Sequence, residues 1–238
     1  MISVSILGAT GRMGQLTKEL VDQDPNLKLH AALSSSATPE DMLGADVVVD
    51  FTTPEVSERL VEFAIQNSQK ILVGTSGWSE IKLARLEKLL AENPASAAVV
   101  IPNFSIGSML AQRFAAEAAK FFLHAEIVEA HHAGKLDSPS GTAIRTAELI
   151  AAARDRDPLV PGTGQVARGE MVESVPIHSI RLDGVSARQE TIFGADAEQL
   201  KIEHNVVSHR AYSLGVLRSI EFTAQAKGLV VGLENVLG

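Results

Sequence analysis

Two hydrophobic rhythms succeed one another along the chain. Over the first hundred residues, short apolar runs alternate with stretches whose apolar positions recur every three or four residues. That is the pattern of alternating strand and helix. Val4–Leu7 reads as a strand, a glycine loop follows, and Arg12–Gln23 reads as a helix. Leu27–Leu33 is the second strand. Ala45–Phe51 contains Val47-Val48-Val49, the continuous run expected of a strand buried on both faces. Pro54 opens a helix at about Glu55–Gln66. Ile71–Val73 is a strand, Gly74-Thr75-Ser76-Gly77 a loop and Ser79–Ala91 a helix; Ala97–Ile101 is a fifth strand ending at Pro102-Asn103. This order predicts a parallel sheet with helices on both faces.

After residue 105 the rhythm changes. A helix at about Ile106–Phe122 leads to a strand, Glu126–Ala130, and a further helix runs from Gly141 to about Arg154. Residues 155–175, with Pro158, Pro161, Gly162 and Gly164, read as loop. Three strands are expected at Val175–Leu182, Ala187–Phe193 and Leu200–Val207, with Asp183-Gly184 as a hairpin signal between the first two. A last helix, about Ser213–Ala226, ends at Lys227-Gly228 and is expected to pack back on the first domain. The fold class is therefore α/β: residues 1–105 with 214–238 form a parallel-sheet domain. Residues 106–213 form a second, α+β domain with a mixed or antiparallel sheet.

Composition narrows the function. The 238 residues suffice for two modest domains, and 45% hydrophobic content marks a globular chain. No apolar run approaches the roughly 20 residues of a membrane helix, and the first residues lack the basic flank of a signal peptide. A cytoplasmic protein without membrane contact is expected. There is no cysteine, which rules out disulfides, thiolate metal sites and thioester chemistry. The net charge of −8 disfavours nucleic acid, so anionic ligands must be held by a few local donors.

One such place is the loop Gly8-Ala9-Thr10-Gly11-Arg12-Met13-Gly14, between the first strand and the first helix. Glycines there let backbone N–H groups approach a pyrophosphate at a helix start. The spacing G-x-x-G-x-x-G varies the usual fingerprint, and an ordinary strand-to-helix turn is the alternative. Its place at the head of a βαβ series favours a Rossmann-like dinucleotide domain, with Arg12 beside the phosphates or merely on the surface. The tip of the second strand reads Leu33-Ser34-Ser35-Ser36, with no carboxylate before Glu40 and no arginine nearby in sequence. A carboxylate there would select NAD through the ribose hydroxyls. Its absence predicts that NADPH is accepted, with a relaxed or NADP-leaning preference and Ser34 as a contact; a polar loop without cofactor contact is the alternative. Gly74-Thr75-Ser76 and Pro102-Asn103-Phe104 lie at later strand ends, where ligands of open α/β sheets bind, and either is also a plausible turn.

The densest chemistry lies in Glu129-Ala130-His131-His132-Ala133-Gly134-Lys135-Leu136-Asp137-Ser138-Pro139-Ser140-Gly141-Thr142-Ala143. Two imidazoles and an amine follow a strand and precede a helix whose expected N-cap is Ser140. The Gly141 and Thr142 N–H groups then lack intrahelical acceptors and suit a carboxylate. His131 or His132 can exchange a proton near neutral pH, and Lys135 adds a positive charge that disfavours a protonated imidazole. A zinc site from His124, His131 and His132, surface histidines without a role, and a Ser138 or Ser140 hydrolase are the alternatives. The hydrolase lacks a G-x-S-x-G elbow.

This segment resembles the signature E-[AL]-H-H-x-x-K-x-D-[AS]-P-S-G-T-A of the 4-hydroxy-tetrahydrodipicolinate reductase family, also called dihydrodipicolinate reductases. The likeness extends through Gly8–Gly14, Asp50-Phe51-Thr52 with Pro54, Gly74-Thr75, Asn103-Phe104-Ser105 with Gly107, and Gly228-Leu229 with Gly232-Leu233. It implies an NAD(P)H-dependent reductase of the diaminopimelate–lysine route, forming tetrahydrodipicolinate with loss of water. It implies His131 as proton donor to the carbon beside the one that takes the hydride, and Lys135 as the acid assisting loss of the hydroxyl. His132, Gly141 and Thr142, with Lys135 and Ser140, are the implied substrate contacts. Gly8–Met13, Gly74–Ser76 and Ile101–Phe104 are the implied cofactor contacts, and no metal is implied. A homotetramer built through the second domain's sheets, with domains that close over ligands, is also implied. Where many members carry arginine three residues before the aromatic near Tyr212, this chain has His209 with Arg210 beside it, so that carboxylate contact stays unassigned. Another Rossmann-domain reductase of small acids, or an inactive nucleotide sensor, would keep the glycine loop without needing His131 and Lys135.

Overall fold

A computed structural model describes every residue except Leu159 and Thr163. The chain divides into two compact units: Met1–Ile106 with Tyr212–Gly238, and Gly107–Ala211.

In the first unit the strands are β1 (Ile2–Leu7), β2 (Leu27–Leu33), β3 (Val47–Asp50), β4 (Lys70–Val73) and β5 (Ala97–Val100). The helices between them are α1 (Arg12–Gln23), α2 (Pro54–Gln66) and α3 (Glu80–Glu92). Every pairing in this sheet is parallel. Val47, Val48 and Val49 are fully buried, as a central parallel strand covered on both faces requires. The helices bury stripes at three- and four-residue spacing, such as Leu60, Val61, Ala64 and Ile65 on α2. These meet Val48, Ile71, Val73, Ala98 and Val100 in the core.

In the second unit, α4 (Ile106–Ala119), β6 (His124–His131), α5 (Gly141–Ala153), β7 (Glu170–Val172), β8 (Val175–Arg181), β9 (Ala187–Gly194) and β10 (Gln199–Val206) follow in turn. The sheet order is β10-β9-β6-β8-β7. Ala115, Ala119, Ile127, Ala143, Ala147, Ile150, Ile177 and Phe193 form its core. Strand β6 pairs parallel to β8 and antiparallel to β9, so the sheet is mixed.

That topology corrects the expected hairpin. The turn at Asp183-Gly184 is present and Gly184 has φ +86°, yet β8 and β9 do not pair with each other. Strand β6 lies between them, its backbone groups pairing with β8 on one side and β9 on the other. The hairpins in the sheet are β9–β10 and β7–β8. Residues 155–175 are also less irregular than expected: a 3-10 turn at Val166–Arg168 precedes β7, which pairs antiparallel with β8. The expected loop at Leu159 and Thr163 lies outside the described residues. Helix α4 stops at Ala119, three residues before the expected end, and Phe121 is exposed.

Back in the first unit, α6 (Ser213–Thr223) packs on α1 and on β3, β4 and β5. It is followed by a strand missing from the periodicity reading, β11 (Gly228–Val231), and by α7 (Glu234–Leu237). Strand β11 pairs with β5 and completes six strands in the order β11-β5-β4-β3-β1-β2. Only the four-residue α7 follows it, so the strand–helix rhythm that marks the other four-residue strands is missing.

Candidate active site

The carboxyl edge of the six-stranded sheet is shaped by glycines and by two aromatic rings. Gly8 has φ +75°, and a Cβ there would run into the Phe51 carbonyl, so only glycine lets the loop turn this tightly. Its carbonyl accepts from Gly11 N–H at 3.0 Å, and Ala9 N–H donates to the Leu33 carbonyl at 3.0 Å. Gly11 is the N-cap of α1, which leaves the N–H groups of Arg12 and Met13 without intrahelical acceptors at a positive helix end. Asp50, fully buried at the end of β3, accepts from the Thr52 N–H and hydroxyl and from the Ser57 hydroxyl, tying the next loop to α2. Phe51 and Phe104 meet edge to face with centroids 5.5 Å apart, and Gly74 sits against both rings. Thr75 and Ile101 are buried, with the Ile101 N–H donating to the Val73 carbonyl at 2.8 Å.

A cavity of about 450 Å³ opens beside the glycine loop. Gly8, Thr10, Gly11 and Ser34, among the expected cofactor contacts, line it; Ala9, Arg12, Met13 and the segments at 74–76 and 101–104 do not. Its apolar wall includes Leu33, Pro39, Met42, Val56 and Leu60, and its polar lining is hydroxyls and backbone. A ring with apolar faces and a phosphorylated sugar fit such a lining, so the residues present suit the adenosine half of a dinucleotide. Arg59 of α2 also lines it, so an arginine shares the cavity with the tip of β2, from a helix remote in sequence.

In the second unit the chemistry gathers around Glu129, which is fully buried although charged. On β6, Glu129 and His131 are two residues apart and therefore project to one face. The His131 Nδ1 lies 2.6 Å from Glu129 Oε2. Arg181 stands opposite His131 in the parallel register with β8 and grips the same carboxylate with both guanidinium ends, at 2.9 and 3.0 Å. Glu129 Oε1 also accepts the Ser140 N–H at 3.1 Å. A buried carboxylate persists only with such a set of donors. Burial works against its charge, and hydrogen bonds from Arg181, Ser179 and His131 outweigh that, holding its carboxyl below the usual range.

His131 responds in the opposite sense. Burial lowers its pKa most, Glu129 raises it, and Lys135 and Arg181 lower it further; the balance falls below the usual 6.5. Against an ionised carboxylate, the neutral ring carries its proton on Nδ1, leaving Nε2 as its second exchangeable position. Lys135 Nζ pairs with Asp137 at 2.7 Å, and the Asp137 carbonyl accepts from Arg181 at 2.6 Å. Asp137 is itself held below the usual carboxylate range, chiefly by the hydrogen bond from Lys135. Ser140 caps α5 through its hydroxyl, which accepts from Ala143 N–H at 3.3 Å, and it is buried. Its amide and hydroxyl thus serve the local fold, while Gly141 and Thr142 open the helix. His132 is exposed.

Glu129 and Arg181 are the parts that residue-by-residue reading left unassigned. Glu129 belongs to the quoted signature, and a charge alternating in phase with buried Ala125 and Ile127 was the available signal. Arg181 carries no such mark, because it meets Glu129 only through the β6–β8 register. The zinc alternative is contradicted: His124 and His131 occupy opposite ends of β6, about 23 Å apart at strand rise.

A parallel-sheet dinucleotide domain and a second domain with an acid–base loop define a two-domain NAD(P)-dependent oxidoreductase. Family models match both parts: residues 2–104 match the N-terminus, and residues 107–237 the C-terminus, of dihydrodipicolinate reductase. The chain belongs to that family. Among curated relatives, the 4-hydroxy-tetrahydrodipicolinate reductase of Clavibacter sepedonicus is 48% identical over 237 residues, 99% of this chain and 86% of the relative. That of Cutibacterium acnes is 42% identical over 248 residues, covering 100% and 99%. Among solved structures, a dipicolinate-bound dihydrodipicolinate reductase from Paenisporosarcina sp. TG-14 is similar with a TM-score of 0.84, 32% identity and full coverage of both chains. A myo-inositol 2-dehydrogenase from Lactobacillus plantarum, at 12% identity and TM-score 0.63, shares the fold alone.

Proposed function

We propose that the protein reduces 4-hydroxy-tetrahydrodipicolinate to tetrahydrodipicolinate with release of water, in the diaminopimelate–lysine route. The observation that carries this reading is the Glu129-anchored His131 at the end of β6, followed directly by the segment that holds Lys135 and the start of α5. When bound, NADPH or NADH supplies the hydride for one ring carbon. His131 gives a proton to the adjacent carbon, completing addition across the double bond. Lys135 protonates the departing hydroxyl, which leaves as water while the neighbouring ring carbon gives up a proton to solvent; this elimination forms the double bond that the hydride and the His131 proton then saturate. The N–H groups of Gly141 and Thr142, with His132, hold a substrate carboxylate at the helix start. The dipicolinate bound in the similar solved structure is a dicarboxylate, which supports this substrate class. Gly8–Met13, Ser34, Gly74–Ser76 and Ile101–Phe104 receive the cofactor.

A cytoplasmic location and a homotetramer assembled through the β6–β10 sheet belong to the same reading. Supporting the first, no described helix is long and apolar enough to cross a membrane. Supporting the second, the outward-alternating Val128 and Ile192 of that sheet are only partly buried in the single chain. Sedimentation tests the assembly: four times 25.3 kDa is expected.

The activity is tested with the freshly made condensation product of pyruvate and aspartate semialdehyde, NADPH and nicotinamide fluorescence. Rapid oxidation with that product, and none with other small acids, is expected. Oxidation with an unrelated acid in its place would transfer the assignment to a different reductase of small acids.

A further inference from the structure

We infer that Arg59 makes the protein select the 2′-phosphorylated dinucleotide, NADP(H), over NAD(H); this rests on the dinucleotide reading of the first unit. Dinucleotide domains discriminate at the tip of β2, where a carboxylate accepts from both ribose hydroxyls and repels a 2′-phosphate. Here that tip is Ser34-Ser35, and both line the cavity beside the glycine loop. Of the two carboxylates that follow the tip, Asp41 is turned onto the Thr38 N–H at 2.8 Å and hydroxyl at 3.1 Å, and neither it nor Glu40 is in the lining.

The positive group arrives from α2. Val56, Arg59 and Leu60 are spaced three and four residues apart, so they share one helical face, and all three line the cavity. Arg59 is the only charged residue in that lining. It has no ion pair or hydrogen-bond partner among the described residues. The carboxylates around it are engaged elsewhere: Glu58 with Lys82 and Arg85, Glu62 with Arg85, and Glu55 with Thr53. A lone guanidinium with two serine hydroxyls, in a chain of net charge −8, is a set of donors for a phosphate dianion. A 2′-hydroxyl gains far less from it. The adenosine 2′ position is where dinucleotide domains bring the cofactor to the β2 tip.

The test is isothermal titration of the full chain with 2′,5′-ADP and 5′-AMP, and with NADPH and NADH. The wild type is expected to bind each 2′-phosphorylated ligand roughly tenfold or more tightly than its partner. Arg59→Ala is expected to erase that ratio by weakening 2′,5′-ADP and NADPH alone, with NADH within about twofold of wild type. Because Arg59 is exposed on its helix, an unchanged melting temperature checks that the fold is intact. Equal wild-type affinities, or a ratio that survives Arg59→Ala, overturn the inference while leaving the dinucleotide site standing. Failure of all four ligands to bind the wild type overturns the dinucleotide reading itself, and this inference with it.

Discussion

The two units handle anions by opposite means. Beside the glycine loop the lining is backbone, hydroxyls and apolar side chains with a single charge, Arg59. Around β6, five ionisable groups interlock: Glu129, His131, Arg181, Lys135 and Asp137. Backbone N–H groups at a helix start bind a phosphate without titrating. Proton transfer instead needs a group whose charge changes, and neighbours whose fixed charges set when it does so. On the proposed reading, the first unit binds, and the second binds and reacts. The contrast also locates fragility, since a buried charge depends on its partners far more than a hydroxyl lining does.

The largest expected effect comes from breaking that dependence. Arg181→Met leaves Glu129 buried without its bidentate partner and should cost about 3–5 kcal/mol of stability, read from chemical denaturation. Next, His131→Ala and Lys135→Ala should each lower kcat by about two orders of magnitude while the melting temperature stays within a few degrees. Near-normal turnover in either variant removes its assigned role. A smaller loss is expected in the first unit: Gly74→Ala pushes a methyl group into the Phe51 and Phe104 rings. About 1–3 kcal/mol of destabilisation is expected, with weaker nucleotide binding.

The smallest effect sharpens the contrast most. Glu129 raises the His131 pKa, so Glu129→Gln should lower it further. A proton donor with a lower pKa loses its proton earlier as pH rises. The decline of kcat/KM on the alkaline side should therefore begin at lower pH than in wild type, whereas a purely structural Glu129 would reduce activity without moving the profile.

How much of this was legible in sequence followed element length and locality. The βαβ series was legible because buried stretches such as Val47–Val49 and the stripe on α2 carry their period within a few residues. Strand β11 was not, because no full helix follows it to complete the rhythm, and strand β7 was not, being three residues long. The Asp183-Gly184 turn was read correctly as a turn and wrongly as a hairpin, because pairing depends on β6, which lies far off in sequence. The same holds for the sites. His131, Lys135 and the α5 cap sit in one contiguous segment and could be read together. Arg181 and Arg59 reach their places only through strand register and helix docking, which no local pattern encodes.

Nitrogen-15 NMR of the histidine rings across a pH titration reports directly on the grip that a buried carboxylate has on the proposed proton donor. The His131 ring should be the Nδ1–H tautomer when neutral and should titrate below 6.5. An Nε2–H tautomer would show that Glu129 does not hold this imidazole as described, and a midpoint at or above 6.5 would show that burial does not outweigh Glu129.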